Sequence, residues 1–165
     1  MNTIVLIGKY FWIVFILITF LNVFFMKKSS KEAIAKKPLL EKSYNQIFKA
    51  MLTWGNLPWI VMGVGILTHH VPTMFHYFRP QDQNLYVLAF FISILIIYIQ
   101  LAYWILFKKG GEILLEHGSF SKYGDIPPLL IKILAVVNLV FFFVFITILY
   151  KMDFPVDKVF LELGK

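Results

Sequence analysis

Hydrophobic residues along this chain fall into four long blocks, which are separated by shorter polar segments. About 20 consecutive apolar residues are enough for a helix to cross the hydrocarbon core of a bilayer. The pattern therefore predicts an all-α integral membrane protein whose four transmembrane helices form a four-helix bundle in a single membrane domain. The predicted spans are residues 3–26, 56–77, 85–107 and 129–150.

The first block lies at the N-terminus, where a cleavable signal peptide is the alternative. Its apolar stretch is longer than the roughly 7–15 residues of a signal-peptide core. Lys27 and Lys28 follow it directly, with no small-x-small cleavage pattern. We therefore expect a retained first span.

The segment between the first two spans, residues 27–54, begins with many lysines. Tyr44, Ile47, Phe48 and Met51 then recur at helical spacing. This spacing predicts a short amphipathic helix at the membrane interface, before the second span. The tail, residues 151–165, has a similar apolar stripe and predicts a short C-terminal helix.

The second span contains several residues that shape helices. Asn56 is a predicted N-cap, with Pro58 in the first helical turn. Gly63 and Gly65 offer notches in which a neighbouring helix can pack closely. Pro72 removes a backbone donor, so we expect a kink beside the histidines that precede it.

The composition narrows the chemistry. Hydrophobic residues make up 59% of the chain and charged residues 15%, and there is no cysteine. The lack of cysteine excludes disulfides, thiolate metal sites and cysteine nucleophiles. The net charge of +7 comes from lysines beside the spans, which favours membrane topology over nucleic-acid binding.

The positive charges predict an orientation. Eleven of the 16 Lys and Arg residues lie in, or next to, the segments 27–54 and 108–128. Because basic residues concentrate in cytoplasmic loops, these two segments should be cytoplasmic. Both termini and the loop 78–84 should then lie outside, which means the periplasmic side of the inner membrane in a bacterium.

The strongest polar cluster stands at the outer end of the second span. It comprises His69, His70, His76, Arg79 and Asp82. On a straight helix, His69 and His76 share a face but lie about 10 Å apart along the axis, too far for one metal ion. A metal site would need His70 or Asp82 as a further ligand, so the simpler expectation is hydrogen bonding in the headgroup region.

Haem is the second ligand to consider. Membrane cytochromes of this size usually hold haem between histidines on facing helices, whereas spans one, three and four of this chain contain no histidine. Two helices of one chain therefore cannot supply a histidine pair. No cofactor is predicted, and a haem or metal ion held at one end of the second span is the less favoured alternative.

The remaining polar candidates lie within the spans and in the second lysine-rich loop. Within the spans, we expect Asn22, Ser93, Gln100 and Asn138 to hydrogen-bond between helices; a substrate path through a small transporter is the alternative. In the loop, paired carboxylates and a histidine favour a solvated face over acid–base catalysis. These loop residues are Glu112, Glu116 and His117.

These observations predict a non-catalytic membrane protein. The preferred function is an accessory, assembly or scaffold subunit that packs against other membrane proteins or against itself. The alternatives are a haem- or metal-binding redox component that uses the histidines, and a small transporter. The expected partners are the bilayer and membrane subunits, with no nucleic acid.

Overall fold

The computed structural model describes residues 3–78, 84–117 and 126–151, and within these ranges the chain forms helices and turns without a β-strand. Short 3₁₀ turns at Pro38–Leu40, Trp54–Asn56 and Met74–Phe78 connect the α-helices. The helices are α1 (Thr3–Lys36), α2 (Glu41–Thr53), α3 (Leu57–Leu67), α4 (Leu85–Phe107), α5 (Gly110–His117) and α6 (Pro128–Lys151).

Four helical segments of the described chain are long and apolar enough to cross a membrane, which confirms the all-α membrane fold predicted from the sequence. The third segment coincides with the predicted third span. The second includes the amphipathic helix as well as the predicted span. The segments are Leu6–Lys36, Pro38–Leu67, Leu85–Phe107 and Pro128–Ile148.

Helix α1 extends well beyond the predicted end of the first span at residue 26. Its 34 residues correspond to about 51 Å, against a hydrocarbon core of about 30 Å. The last turns are rich in Lys, Glu and Ala, which favour helix in water as well as in lipid. The helix therefore continues past the point where the apolar stretch stops.

Helix α3 begins at the predicted position, with Asn56 at its N-cap and Pro58 in its first turn, but α2 runs into it almost without a break, so the Asn56 side chain does not cap it. The backbone at Asn56 is already right-handed helical, and its side chain makes no capping hydrogen bond. The Asn56 amide instead donates to the carbonyl of Leu52 at 2.9 Å. Pro58 has no N–H to bond the preceding turn, which accounts for the tighter 3₁₀ turn at Trp54–Asn56.

The second span also ends differently from the prediction. Helix α3 stops at Leu67, so Pro72 lies beyond a helix end and does not kink a continuous helix. His69 has a left-handed backbone with φ of 59°, and the N–H groups of His70 and Val71 both reach the carbonyl of Gly65 at 3.0 Å. The His69 N–H also donates to the carbonyl of Ile66 at 3.1 Å, and this bond and the His70 bond together form a Schellman-type ending.

After this ending, the chain folds back along α3. Tyr77 is completely buried, and its hydroxyl lies 3.1 Å from the carbonyl oxygen of Met62 and 3.2 Å from that of Val61. A residue fifteen positions later in the chain therefore packs beside the middle of α3. The segment 68–78, predicted as the last part of span two, is instead a return packed against the helix, and we call it the return.

The helices pack mainly in chain order. Helix α1 lies against α2 and α3, α4 lies against α3, and α6 lies against α4 and α5. Stacked rings mark two of these contacts: Phe15 on Trp59 with centroids 4.1 Å apart, and Tyr98 on Phe142 at 3.9 Å. Among the described helices, α6 therefore lies at one edge of the bundle.

The apolar face of α2 is covered by protein. Tyr44, Ile47 and Phe48 are buried in a cluster that includes Val23 of α1 and Trp104 of α4. The predicted amphipathic helix is present, but its stripe packs on α1 and α4 rather than on lipid. We call this end of the molecule the lysine-rich end, because it carries Lys36, Lys37, Lys42, Lys108 and Lys109.

Candidate functional site

The three histidines of the predicted cluster lie in the return after α3. His69 and His70 are both exposed, and the His70 Nδ1 donates to the carbonyl of Thr68 at 3.0 Å. His76 is partly buried, with its Nδ1 3.0 Å from the Thr73 hydroxyl. Each of these two hydrogen bonds joins a histidine to a group close to it in the chain.

The described residues do not include a group of three His, Asp or Glu side chains arranged to hold a metal ion. Arg79 and Asp82, which completed the predicted cluster, lie outside the described residues. The metal and haem alternatives remain predictions.

Aromatic side chains fill the notches left by the two predicted packing glycines. A Cβ atom at Gly63 would lie 2.7 Å from the Trp12 ring, so α1 approaches α3 at this notch. A Cβ atom at Gly65 would lie 2.1 Å from the Tyr77 hydroxyl and 3.1 Å from Tyr86. Gly65 therefore accommodates the returning chain as well as helix α4.

Asn84 connects the return to α4, a role that the sequence analysis missed. Its side-chain oxygen accepts from the Tyr86 N–H at 2.9 Å, which caps α4, and its amide donates to the His70 carbonyl at 2.9 Å. A local signal was present, because an asparagine directly before a long apolar run is a typical helix start. The bond to His70 had no such signal.

The predicted hydrogen bonds between spans are not formed by the candidate residues within the described chain. The Ser93 hydroxyl, although buried, donates to carbonyls of its own helix at 2.7 and 2.9 Å. Asn22, Gln100 and Asn138 have no side-chain hydrogen bond to another described residue. Serine satisfies itself locally because its short side chain reaches the carbonyl one turn back.

Asn138 occupies the most distinctive of these positions. It is exposed near the middle of α6, at the rim of a crevice of about 220 Å³ between α4 and α6. Tyr98 and Ala102 line the α4 side of the crevice, and Ala135 lines the α6 side. An uncharged polar group whose donor and acceptor are not used within the described chain thus borders an apolar recess.

The carboxylates of the second lysine-rich loop lie on α5. Glu112 is exposed at the start of this helix. Glu116 and His117 belong to the same helix, but their side chains lie outside the described part of the structure. The paired-carboxylate alternative therefore stays a prediction.

Comparisons with models of protein families, with curated proteins and with solved structures found no match to this chain.

Proposed function

We propose that this chain is a non-catalytic membrane subunit that packs, through α6, against a transmembrane helix of another membrane protein. The observation that carries the proposal is Asn138, which is exposed near the centre of α6 without a hydrogen-bonding partner in the described chain. Burying an amide in an apolar medium without a hydrogen bond costs several kcal/mol, roughly 4–8 in a pure hydrocarbon. A polar group on a neighbouring helix removes this cost.

The surroundings of Asn138 support a helix as the occupant. Ala135, on the α6 side of the crevice, is a small residue that is only partly buried, and small residues let helix backbones approach closely. Val137 and Phe141, which flank Asn138, are 55% and 67% exposed and extend an apolar contact face. A partner with a hydroxyl or amide at mid-span fits this face.

The same proposal includes the orientation predicted from the sequence, with the lysine-rich end in the cytoplasm. Lys108 ends α4 directly after a span without charge, and Lys36, Lys37 and Lys42 lie at the same end. The clustering of lysines from separate loops at one end supports this sidedness. The protein then crosses the membrane four times with its N-terminus outside.

A photoreactive side chain on α6 tests the partner. Phe141 is replaced by p-benzoylphenylalanine in the full chain, which is irradiated in its native membrane; the control carries the same group at Phe24, which is 65% exposed on α1. We expect an adduct with a distinct integral membrane protein from position 141, lost when Asn138→Leu is added. An adduct between two copies, an adduct that survives Asn138→Leu, or no adduct would each overturn the proposal.

A further inference from the structure

A small basic pocket at the lysine-rich end brings together residues from distant parts of the chain. It has a volume of about 200 Å³ and lies between the start of α2 and the end of α4. Lys42, Ser43 and Gln46 line it from α2, and Lys108 and Lys109 line it from the turn after α4. Leu39 and Phe107 form its apolar edges.

Two hydrogen bonds hold the two sides of this pocket in register. The Ser43 hydroxyl donates to the Lys108 carbonyl, and the Trp104 indole donates to the Ser43 carbonyl at 3.0 Å. Gly110 lies directly against the Trp104 ring, where a Cβ atom would clash at 2.4 Å. The lysines are therefore positioned by a packed junction of α2, α4 and α5.

The backbone of Lys109 adds to this positioning. Its φ of 60° lies in the left-handed region, which glycine adopts far more readily than lysine. The chain has glycine at the next two positions, yet lysine occupies the left-handed one. The turn places the Lys108 and Lys109 side chains beside Lys42 at the cost of this strain.

The positive charge of the pocket is not balanced from within the described chain. Among the described residues, Lys42, Lys108 and Lys109 form no ion pair with a carboxylate. The Lys108 ammonium lies over the face of the Tyr103 ring, 5.4 Å from the ring centre. Three positively charged side chains around one small recess repel each other, and an anion bound among them relieves the repulsion.

The edges of the pocket identify the kind of anion. Leu39 is 83% exposed and Phe107 is 70% exposed, so two large apolar side chains stand beside the three lysines. Phe107 is also the last residue of an uncharged span, which puts the pocket at the depth where hydrocarbon meets headgroups. A ligand that fits has a negatively charged head and apolar chains.

We propose that Lys42, Lys108 and Lys109 form a binding site for the phosphate of an anionic phospholipid, with its acyl chains against Phe107 and Leu39. Basic pockets between transmembrane helices are known to hold such headgroups. The site needs no partner protein, so it stands apart from the proposed packing of α6.

The test measures phospholipid retained by the purified full chain in phosphatidylcholine nanodiscs titrated with phosphatidylglycerol. The pocket variant is Lys42→Gln/Lys108→Gln/Lys109→Gly, in which glycine relieves the left-handed strain and so protects folding. The control variant, Lys28→Gln/Lys31→Gln/Lys49→Gln, removes the same charge from exposed lysines outside the pocket. We expect the pocket variant to lose roughly a hundredfold in affinity, and the control much less.

Three outcomes would overturn the lipid site. Equal losses in the pocket and control variants would show only diffuse attraction to a charged surface. Unchanged binding in the pocket variant would remove the three lysines from the site. Inorganic phosphate that binds in pure phosphatidylcholine discs as tightly as the lipid would assign the pocket to a soluble anion; we expect millimolar phosphate to leave the bound lipid in place.

Discussion

The indole nitrogen of Trp104 donates a hydrogen bond of 3.0 Å to the backbone carbonyl of Ser43, which lies 61 positions earlier in the chain. Trp104 is 5% exposed and belongs to the cluster that joins α1, α2 and α4. One side chain therefore fixes where α2 begins relative to where α4 ends. This contact aligns the lysines of the two helices.

Replacing Trp104 with Phe should destabilise the protein by about 1–3 kcal/mol, because it removes the hydrogen bond and leaves space in a packed cluster. The measurement is reversible unfolding in mixed micelles, followed by far-ultraviolet circular dichroism. Tyr103→Phe is the control, because Tyr103 is adjacent but 42% exposed. Equal stability of the two variants would contradict the role given to Trp104.

Gly65→Ala should destabilise the return after α3 by about 1–3 kcal/mol, since the new Cβ atom would lie 2.1 Å from the Tyr77 hydroxyl. Gly55→Ala is the matched control: its nearest neighbouring side-chain atom is 3.7 Å from the added Cβ, so we expect no loss. Unfolding of both variants in the same micelles makes the comparison.

A second substitution tests the cause of that loss. Adding Tyr77→Phe to Gly65→Ala removes the hydroxyl that clashes, so the double variant should lose less than the sum of the single variants. Strict additivity of the two changes would mean that Gly65 and Tyr77 do not meet as described.

His69→Gly should raise stability by up to about 1 kcal/mol, because glycine adopts the left-handed backbone at this position without a Cβ clash. His70→Gly is the control and should lower stability, since it removes the contact of the His70 ring with Tyr86 and its bond to Thr68. The unfolding midpoints of the two variants should therefore move in opposite directions. A loss of stability in His69→Gly would point to a role for this side chain beyond ending the helix.

Single cysteines should report the sidedness of the ends, and the chain contributes no background because it contains no cysteine. Thr3 and Ala35 are both exposed, at opposite ends of α1. In intact cells, an impermeant maleimide should label Thr3→Cys, and it should label Ala35→Cys only after permeabilisation. The reverse pattern would place the lysine-rich end outside.

The bounds of helix α4 could be predicted from the sequence alone. Its bounds in the structure are those expected, because an uncharged apolar stretch runs from Asn84, a capping residue, to Lys108, a charge that resists the hydrocarbon. Composition alone marks both ends. The same reasoning extended span two to residue 77, where the apolar pattern continues although the helix does not.

The end of α3 depends on contacts that local composition does not encode. The helix stops at Leu67 while Tyr77 returns to the carbonyls of Val61 and Met62, in the space left by Gly65. The predicted glycine notch was visible in the sequence, but the ring that fills it was not. Asn56 stands at the predicted N-cap position, but its side chain does not cap α3, since the 3₁₀ turn Trp54–Asn56 already continues the helical path from α2.

The sequence by itself determined that this protein is built for a lipid bilayer and how many spans it has. Long apolar blocks of this kind favour lipid, and each must form a complete helix there, because the bilayer core offers no water to the backbone polar groups. Which faces meet, and which polar groups converge, was decided only by the tertiary structure. Lys42 and Lys108 are separated by two spans and a return, and only the packing of α2 on α4 brings them to one pocket. Hydrophobicity is a local property of the sequence, whereas a site depends on contacts between residues that lie far apart in the chain.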